Sequence, residues 1–417
     1  MALEFMTHRP CRFCRINIQQ VFADLGMSPL SNSYLKPEQL NQAERFYPLC
    51  AYVCENCLLV QLEEFQSSEQ IFSDQYAYFS SYSDSWLEHC RAYTDLMVKK
   101  FGFNENSQVI ELASNDGYLL QYFKQKGIPV LGIEPAANVA KVAEEKGIHT
   151  LVKFFNVTTA KELANQGIQA DLLLGNNVLA HVPDLNDFVA GIKIALKPTG
   201  ILTMEFPHLL QLIQQGQFDT IYHEHFSYFS CLTVEKIFAH HGLTLFDVEE
   251  LPTHGGSLRI YVRQQENEAL AVTEAVGKLK AQEIRSGLDK ITTYLDFSER
   301  IKTIKRKLLT FLIEAKNQGK SVVGYGAPAK GNTLLNYCGI RTDLLEYTVD
   351  RSPHKQGLFL PGTHIPVAHP DRIRETKPDY LLVLPWNIKT EIMEQMSYIR
   401  EWQGKFVIPI PEVEIYD

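Results

Sequence analysis

Residues 107–134 limit the possible folds more than any other stretch. Ser107–Leu112 (SQVIEL) is an apolar run of strand length that stops at the small-residue turn Ala113-Ser-Asn-Asp-Gly117. Apolar positions then recur at helical spacing through Tyr118–Phe123, and a second run, Val130–Ile133, ends on Glu134. Strand, turn, helix and strand in this order form a βαβ unit, and hence an α/β domain. The pattern continues: Asp171–Leu174 is a third strand opening into Gly175–Pro183. Leu196–Gly200 reads as a turn and Ile201–Phe206 as a further strand.

A dinucleotide site normally needs GxGxxG after the first strand, and that motif is missing, which disfavours NAD and FAD. A nucleoside cofactor without phosphates, S-adenosylmethionine, fits better. Glu111 and the backbone of Ser114, Asn115, Asp116 and Gly117 suit its amino acid end, with Ala113 and Asn176 as further cofactor contacts; the alternative is a Rossmann-like domain without a cofactor. Glu134 follows the turn by about 20 residues, the spacing at which a carboxylate binds a ribose diol, and Pro135 comes next. Phe154 and Phe155 suit the adenine.

Ahead of this domain lie two knuckles, Cys11-x-x-Cys14 and Cys54-x-x-Cys57. Each turn brings two thiolates together, and two turns complete a tetrahedral zinc site with no open position, so the metal is expected to be structural. Cys50 is a spare candidate at a poorer offset. No secretory signal or membrane-length apolar run is evident, which points to the cytoplasm, where cysteines stay reduced. A net charge of −9 argues against a nucleic-acid partner. After the knuckles, Phe72–Ser83 carries Tyr76, Tyr78, Phe79 and Tyr82 among serines. It suits either a ligand-facing loop or an aromatic cluster between domains.

Thr220–Ser230 (TIYHEHFSYFS) concentrates aromatic and titratable side chains. Its histidines, carboxylate and tyrosine suit proton transfer near neutral pH, or alternatively a structural turn with satisfied histidines. Leu243–Leu251 and Ser257–Val262 alternate as an antiparallel pair around Thr253-His-Gly-Gly256. Residues 266–320 read as a helical connector. Beyond them Ser321–Asn332 (SVVGYGAPAKGN) is a strand, a glycine-rich turn and a helix start, followed by strands at Leu345–Val349 (ending in Asp350), Tyr380–Leu384 and Lys405–Ile410. This is a second, smaller Rossmann-like lobe. Its turn amides and Lys330 suit a phosphate, or make a tight turn without ligand.

In order, CRFC, CENC, YAYFSSYS, ELASNDGYLL, NNVLAHVPD, YHEHFSYF, GGSLRIYV and GYGAPAKGN resemble the sugar-nucleotide C-methyltransferases along essentially the whole chain. The resemblance implies a zinc module (1–72), a class I methyltransferase domain (73–265), a connector (266–320) and a sugar-nucleotide lobe (321–417). It implies S-adenosylmethionine-dependent methylation, at C3, of a thymidine- or guanosine-diphosphate-linked 4-keto-6-deoxy sugar. His225 is expected to act as base, oriented by Glu224, with Tyr222 and His181 hydrogen-bonding the enolate oxygen. Tyr76, Tyr78, Asn177, Gly326, Ala327, Lys330, Asn332 and Asp350 are expected to hold the substrate. Ala113 departs from the glycine usual there in class I enzymes. A monomer is expected. The rivals are an O- or N-methyltransferase and a non-catalytic zinc-ribbon binding protein.

Overall fold

The computed structural model describes residues 8–71, 79–82 and 84–417, so the expected substrate tyrosines Tyr76 and Tyr78 lie outside the described residues. The βαβ reading holds. Val109–Leu112 and Val130–Ile133 pair in parallel, and Ala170–Asn176 lies on the other side of Val109–Leu112. These strands are apolar along nearly their whole length because helices cover both sheet faces. Among the described residues the sheet has seven strands in the order Leu243–Leu251, Ser257–Gln264, Leu196–Pro207, Ala170–Asn176, Val109–Leu112, Val130–Ile133, Thr150–Leu151. The expected antiparallel pair therefore forms one edge, with Leu243–Leu251 outermost. The expected turn at Leu196–Gly200 is present as a bulge inside the long strand Leu196–Pro207: Leu196 pairs with Ala170 and Ile201 with Leu172, and Gly200 folds back onto the Lys197 backbone between them. Local polar residues start the helices. Asn156, Asp184 and Ser230 each accept a backbone N–H from the third residue on.

The N-terminal module is an antiparallel sheet of Gln20–Ser28, Tyr47–Val53 and Val60–Leu62, completed by a fourth strand from far along the chain, Ser227–Tyr228. That strand belongs to the aromatic, histidine-rich segment. The connector holds three helices, Glu274–Arg285, Ile291–Leu295 and Phe297–Asn317. Phe297 stacks on Phe22 of the N-terminal sheet with ring centroids 4.6 Å apart. The C-terminal lobe is a six-stranded sheet ordered Val367–Ala368, Thr348–Val349, Val322–Tyr325, Tyr380–Val383, Lys405–Ile408, Glu414–Tyr416. Its pairs are parallel except the last. Among the described residues no helix is long and apolar enough to cross a membrane.

Candidate active site

The four knuckle cysteines converge. The sulfurs of Cys11, Cys14, Cys54 and Cys57 all lie within 4.8 Å of one another, and the Cys11–Cys57 and Cys14–Cys54 pairs are 3.5 Å apart. Four thiolates about 2.3 Å from one zinc ion would stand at about this mutual spacing, so the donor set fits a closed structural site. Cys50 stays outside the cluster.

At the C-terminal ends of the central strands, the expected cofactor residues gather. Glu111 is fully buried, and burial raises its pKa well above the carboxylate range, with Asp116 and Glu134 nearby adding to the effect. Three carboxyl groups in one recess suit a ligand carrying an ammonium and a sulfonium. Ser114 Oγ, one Asp116 oxygen and Asn176 Nδ2 are buried with no hydrogen bond within the protein, as expected of groups that await a polar ligand. Glu134 takes the amides of Asn115 and Ala136 at 2.9 and 2.8 Å, and burial raises it to about 7. Pro135 lies between these two anchored positions, partly buried. The turn is left-handed at Ala113 (φ 54°) and Asn115 (φ 48°), and Gly117 (φ 75°) completes it. Phe155 meets Phe188 edge-on at 5.4 Å. The residues present thus fit S-adenosylmethionine.

Around Tyr222–His225 the structure is specific. The His225 Nδ1–H donates to the Thr220 carbonyl at 3.0 Å, which leaves Nε2 as the acceptor of the Tyr222 hydroxyl at 2.8 Å. Burial holds the imidazole well below its ordinary pKa, assisted by His181, whose ring stands edge-on to it at 4.7 Å. Burial likewise lowers His181 to about 4. Both rings are therefore neutral at pH 7.

This geometry corrects two expected roles. Glu224 does not orient His225. Its carboxylate accepts from Asn32 of the N-terminal module at 2.7 Å, and a backbone carbonyl does the orienting. Tyr222 is not free to donate to an enolate, because its proton points at His225. His223, the remaining member of the motif, is structural: it meets the Pro48 carbonyl at 3.2 Å and the Tyr47 and Phe65 rings.

Several side chains at this centre went unread in the sequence. Asp219 is fully buried and accepts the Trp386 indole N–H at 2.6 Å; burial raises it to about 6 against the pull of Lys330. His254, in the hairpin turn, accepts from Asn177 Nδ2 at 3.1 Å and lies 5.5 Å from the Trp86 ring. Burial, then Lys330, lowers His254 to about 4. Gly255 sits at φ 91°, and a Cβ there would meet Trp386 at 2.6 Å, so only glycine lets the turn pass under that ring. Behind His254, Thr253, His89 and Arg259 converge on the buried Glu205 at 3.0, 3.0 and 3.1 Å. The only local signals were the position of Asp219 just before the histidine segment, and His254 beside two glycines.

In the C-terminal lobe the structure brings Lys330 to this centre but places other expected substrate residues differently. The amides of Gly326 and Ala327 are already used, by the Val349 carbonyl at 2.6 Å and the Asp350 carboxylate at 2.7 Å, so they are not vacant phosphate donors. Asp350 also takes the Ser352 amide at 2.8 Å. Asn332 is 1% exposed and donates to the Ser31 carbonyl at 2.6 Å, which makes it part of the joint between modules instead of a ligand contact.

Three family models match the chain in sequence order. They are described as "Putative zinc binding domain" (residues 11–72), "Methyltransferase domain" (85–248) and "C-methyltransferase C-terminal domain" (252–411). The chain is 34% identical over 405 residues to the C-methyltransferase NovU of Streptomyces niveus, covering 97% of this chain and 96% of that one. It is 28% identical over 99 residues to a ubiquinone biosynthesis O-methyltransferase of Bartonella tribocorum, covering 24% of this chain and 40% of that one. A solved protein of Pyrococcus horikoshii aligns with 48% of this chain and 99% of its own at 16% identity, with a TM-score of 0.37.

Proposed function

Because this chain belongs to the S-adenosylmethionine-dependent C-methyltransferases, we propose that it methylates C3 of a nucleotide-linked 4-keto-6-deoxy sugar, a step in making branched-chain deoxysugars. One observation supports this above all: a neutral imidazole, fixed by a backbone carbonyl, with a tyrosine hydroxyl across its free nitrogen. Methylating oxygen or nitrogen begins from a lone pair. Methylating carbon needs a carbanion or enolate, and so a base able to take a C–H proton that a neighbouring ketone has acidified.

Bound S-adenosylmethionine supplies a methyl group on a sulfonium, which carries its own leaving group. The chain's residues do the rest. Glu111 and the 113–117 turn hold the amino acid end of the cofactor, and Glu134 holds its ribose. The substrate proton passes to the Tyr222 oxygen as the tyrosine's own proton passes to His225 Nε2, which is open to receive it because Nδ1 keeps its hydrogen on Thr220. Neutral His181 packs against the imidazole and helps keep water from it. The diphosphate end of the substrate extends toward the C-terminal lobe.

The test incubates the enzyme with a panel of thymidine- and guanosine-diphosphate 4-keto-6-deoxy sugars and labelled methyl donor, then reads the product by NMR. A new methyl on a quaternary C3 is expected, and so is C3–H exchange with deuterated solvent when no methyl donor is present. A methyl ether or methylamine product would overturn the reading.

A further inference from the structure

Lys330 lies in the first turn of the helix Ala329–Cys338, and that helix packs against the catalytic segment. Thr333, one turn further along, donates to the carbonyl of Ile221, the residue before Tyr222, at 3.3 Å. The Lys330 ammonium donates to Asn387 Oδ1 at 2.5 Å and sits 4.7 Å over the Trp386 ring, whose indole N–H holds Asp219. An ammonium has three N–H donors, and Asn387 takes one. Burial lowers the Lys330 pKa while Asp219 raises it, and the lysine charge acts on both His225 and His254. Among the described residues, the C-terminal lobe therefore brings a cation beside the imidazoles of His225 and His254 and the Asp219 carboxyl group.

When a ketone-activated C–H ionises, the bonding pair becomes part of a new C–C double bond and the carbonyl pair moves onto oxygen. That oxygen needs a donor where the charge appears. Among the described residues, Tyr222 is committed to His225, the expected donor His181 hydrogen-bonds the Glu224 backbone, and the Arg259 guanidinium is tied to Glu205 and Glu249. A diphosphate beside Lys330 would meet the Asp219 carboxyl group, whereas a single carbonyl oxygen would not be repelled in the same way. We propose that Lys330 is a catalytic residue whose ammonium hydrogen-bonds the carbonyl oxygen of the bound keto sugar and holds it as the enolate forms. Asn387 and Trp386 aim the ammonium, and no proton leaves it: the carbon's proton goes to the Tyr222–His225 pair. This inference rests on the keto-sugar reading above.

The experiment measures C3–H exchange into deuterated solvent by full-length wild type, Lys330→Met and Lys330→Arg, without methyl donor, using whichever panel sugar the wild type exchanges fastest. Steady-state kcat and KM for methylation and S-adenosylmethionine binding by calorimetry are measured alongside. Lys330→Met should lower exchange and kcat about 10²-fold or more, with KM within about threefold and cofactor affinity unchanged; Lys330→Arg should recover part of the loss. A raised KM with normal kcat would mean the lysine holds phosphate, and wild-type exchange by Lys330→Met would remove it from the chemistry; either overturns the proposal. A borohydride-trapped adduct on Lys330 would also overturn it, in favour of covalent catalysis. Exchange by wild type with none of the panel sugars would instead refute the substrate reading and this inference together.

Discussion

Removing zinc should disable the Tyr222–His225 segment, the proposed acid–base centre, before it disturbs the methyl-donor site. The first knuckle carries Arg12, whose guanidinium donates to the Pro183 carbonyl at 2.7 Å and the Leu62 carbonyl at 2.9 Å and covers the Phe226 ring at 4.8 Å. The Leu62 amide donates to the Phe226 carbonyl at 3.0 Å, and Gln61, paired with Ser227, donates to the Cys11 sulfur at 3.3 Å. The metal centre is thus one residue's reach from the strand that follows His225. Structural zinc contributes on the order of 10–16 kcal/mol of apparent binding energy, comparable with the whole stability of a domain, so the knuckles open without it. At about 1.5 kcal/mol for each of the Arg12 hydrogen bonds, which fix the backbone at Pro183 and at Leu62, the partner of Phe226, and about 1 kcal/mol for the Leu62–Phe226 bond itself, the segment and its supports lose about 4 kcal/mol of restraint. That is roughly a thousandfold in the population of the ordered state. Chelated enzyme, or Cys14→Ser, should therefore lose C3–H exchange by about 10²–10³-fold while binding S-adenosylmethionine within a few-fold of wild type. Metal-free protein, verified by elemental analysis, that exchanged at more than a tenth of the wild-type rate would refute the reasoning. Cofactor affinity falling in step with exchange would do so too, because the effect would then be general unfolding.

Three further outcomes are expected. Ala113→Gly should stabilise the enzyme. A left-handed alanine costs about 1–2 kcal/mol and glycine's added chain entropy returns about 0.5–1, so the net gain of about 0.5–1 kcal/mol should raise Tm by about 1–4 °C; a lower Tm would count against strain at φ 54°. Glu283→Ala should cost about 3–5 kcal/mol in denaturant unfolding, because this fully buried carboxylate accepts from His208 and from the Cys231 and Leu232 amides at 2.7, 2.7 and 2.9 Å; a loss under about 1 kcal/mol would contradict that role. Burial lowers the His225 pKa, so the base stays unprotonated as pH falls through 6.5 and is lost only at the lower folded value. With His225 as the proposed base, the acid limb of kcat/KM should lie below the ordinary imidazole value of 6.5, and a limb at or above 6.5 would show that the imidazole is not shielded as described.

Features whose evidence is local were readable in the sequence. Each CxxC turn states its own geometry, and the run from Val109 to Glu134 has only one way to fold, which is why the metal ligands and the sheet were legible. The histidine segment was legible as chemistry but not as geometry. Nothing near Glu224 announces that Asn32 will take its carboxylate, and nothing near Tyr222 fixes the direction of its proton. The glycine-rich turn before Lys330 looked like a phosphate cradle because spacing shows which amides point outward, but not which carboxylate will satisfy them; Asp350 does so from the next strand. Asp219 and Trp386 find each other across the whole connector, and no periodicity reports such a pair.

These missed contacts share one cause. The stretch from Asp219 to Tyr228 has a turn at Phe218–Thr220 and the short strand Ser227–Tyr228, and the residues between them are irregular. Ordering about ten backbone residues costs on the order of 10 kcal/mol, far more than so little regular structure returns. The segment must be held from outside, and the three modules each do so. The zinc sheet pairs with Ser227 and Tyr228. The methyltransferase domain's Ala180 carbonyl accepts the Phe226 amide at 2.7 Å. The C-terminal lobe grips Asp219 through Trp386 and Ile221 through Thr333. An imidazole held neutral and facing one hydroxyl, as the proposed base is, is easier to fix at a three-way joint than on one element, because each module removes a different freedom. For that reason the zinc module and the C-terminal lobe, as well as the methyltransferase domain, fix the position of His225.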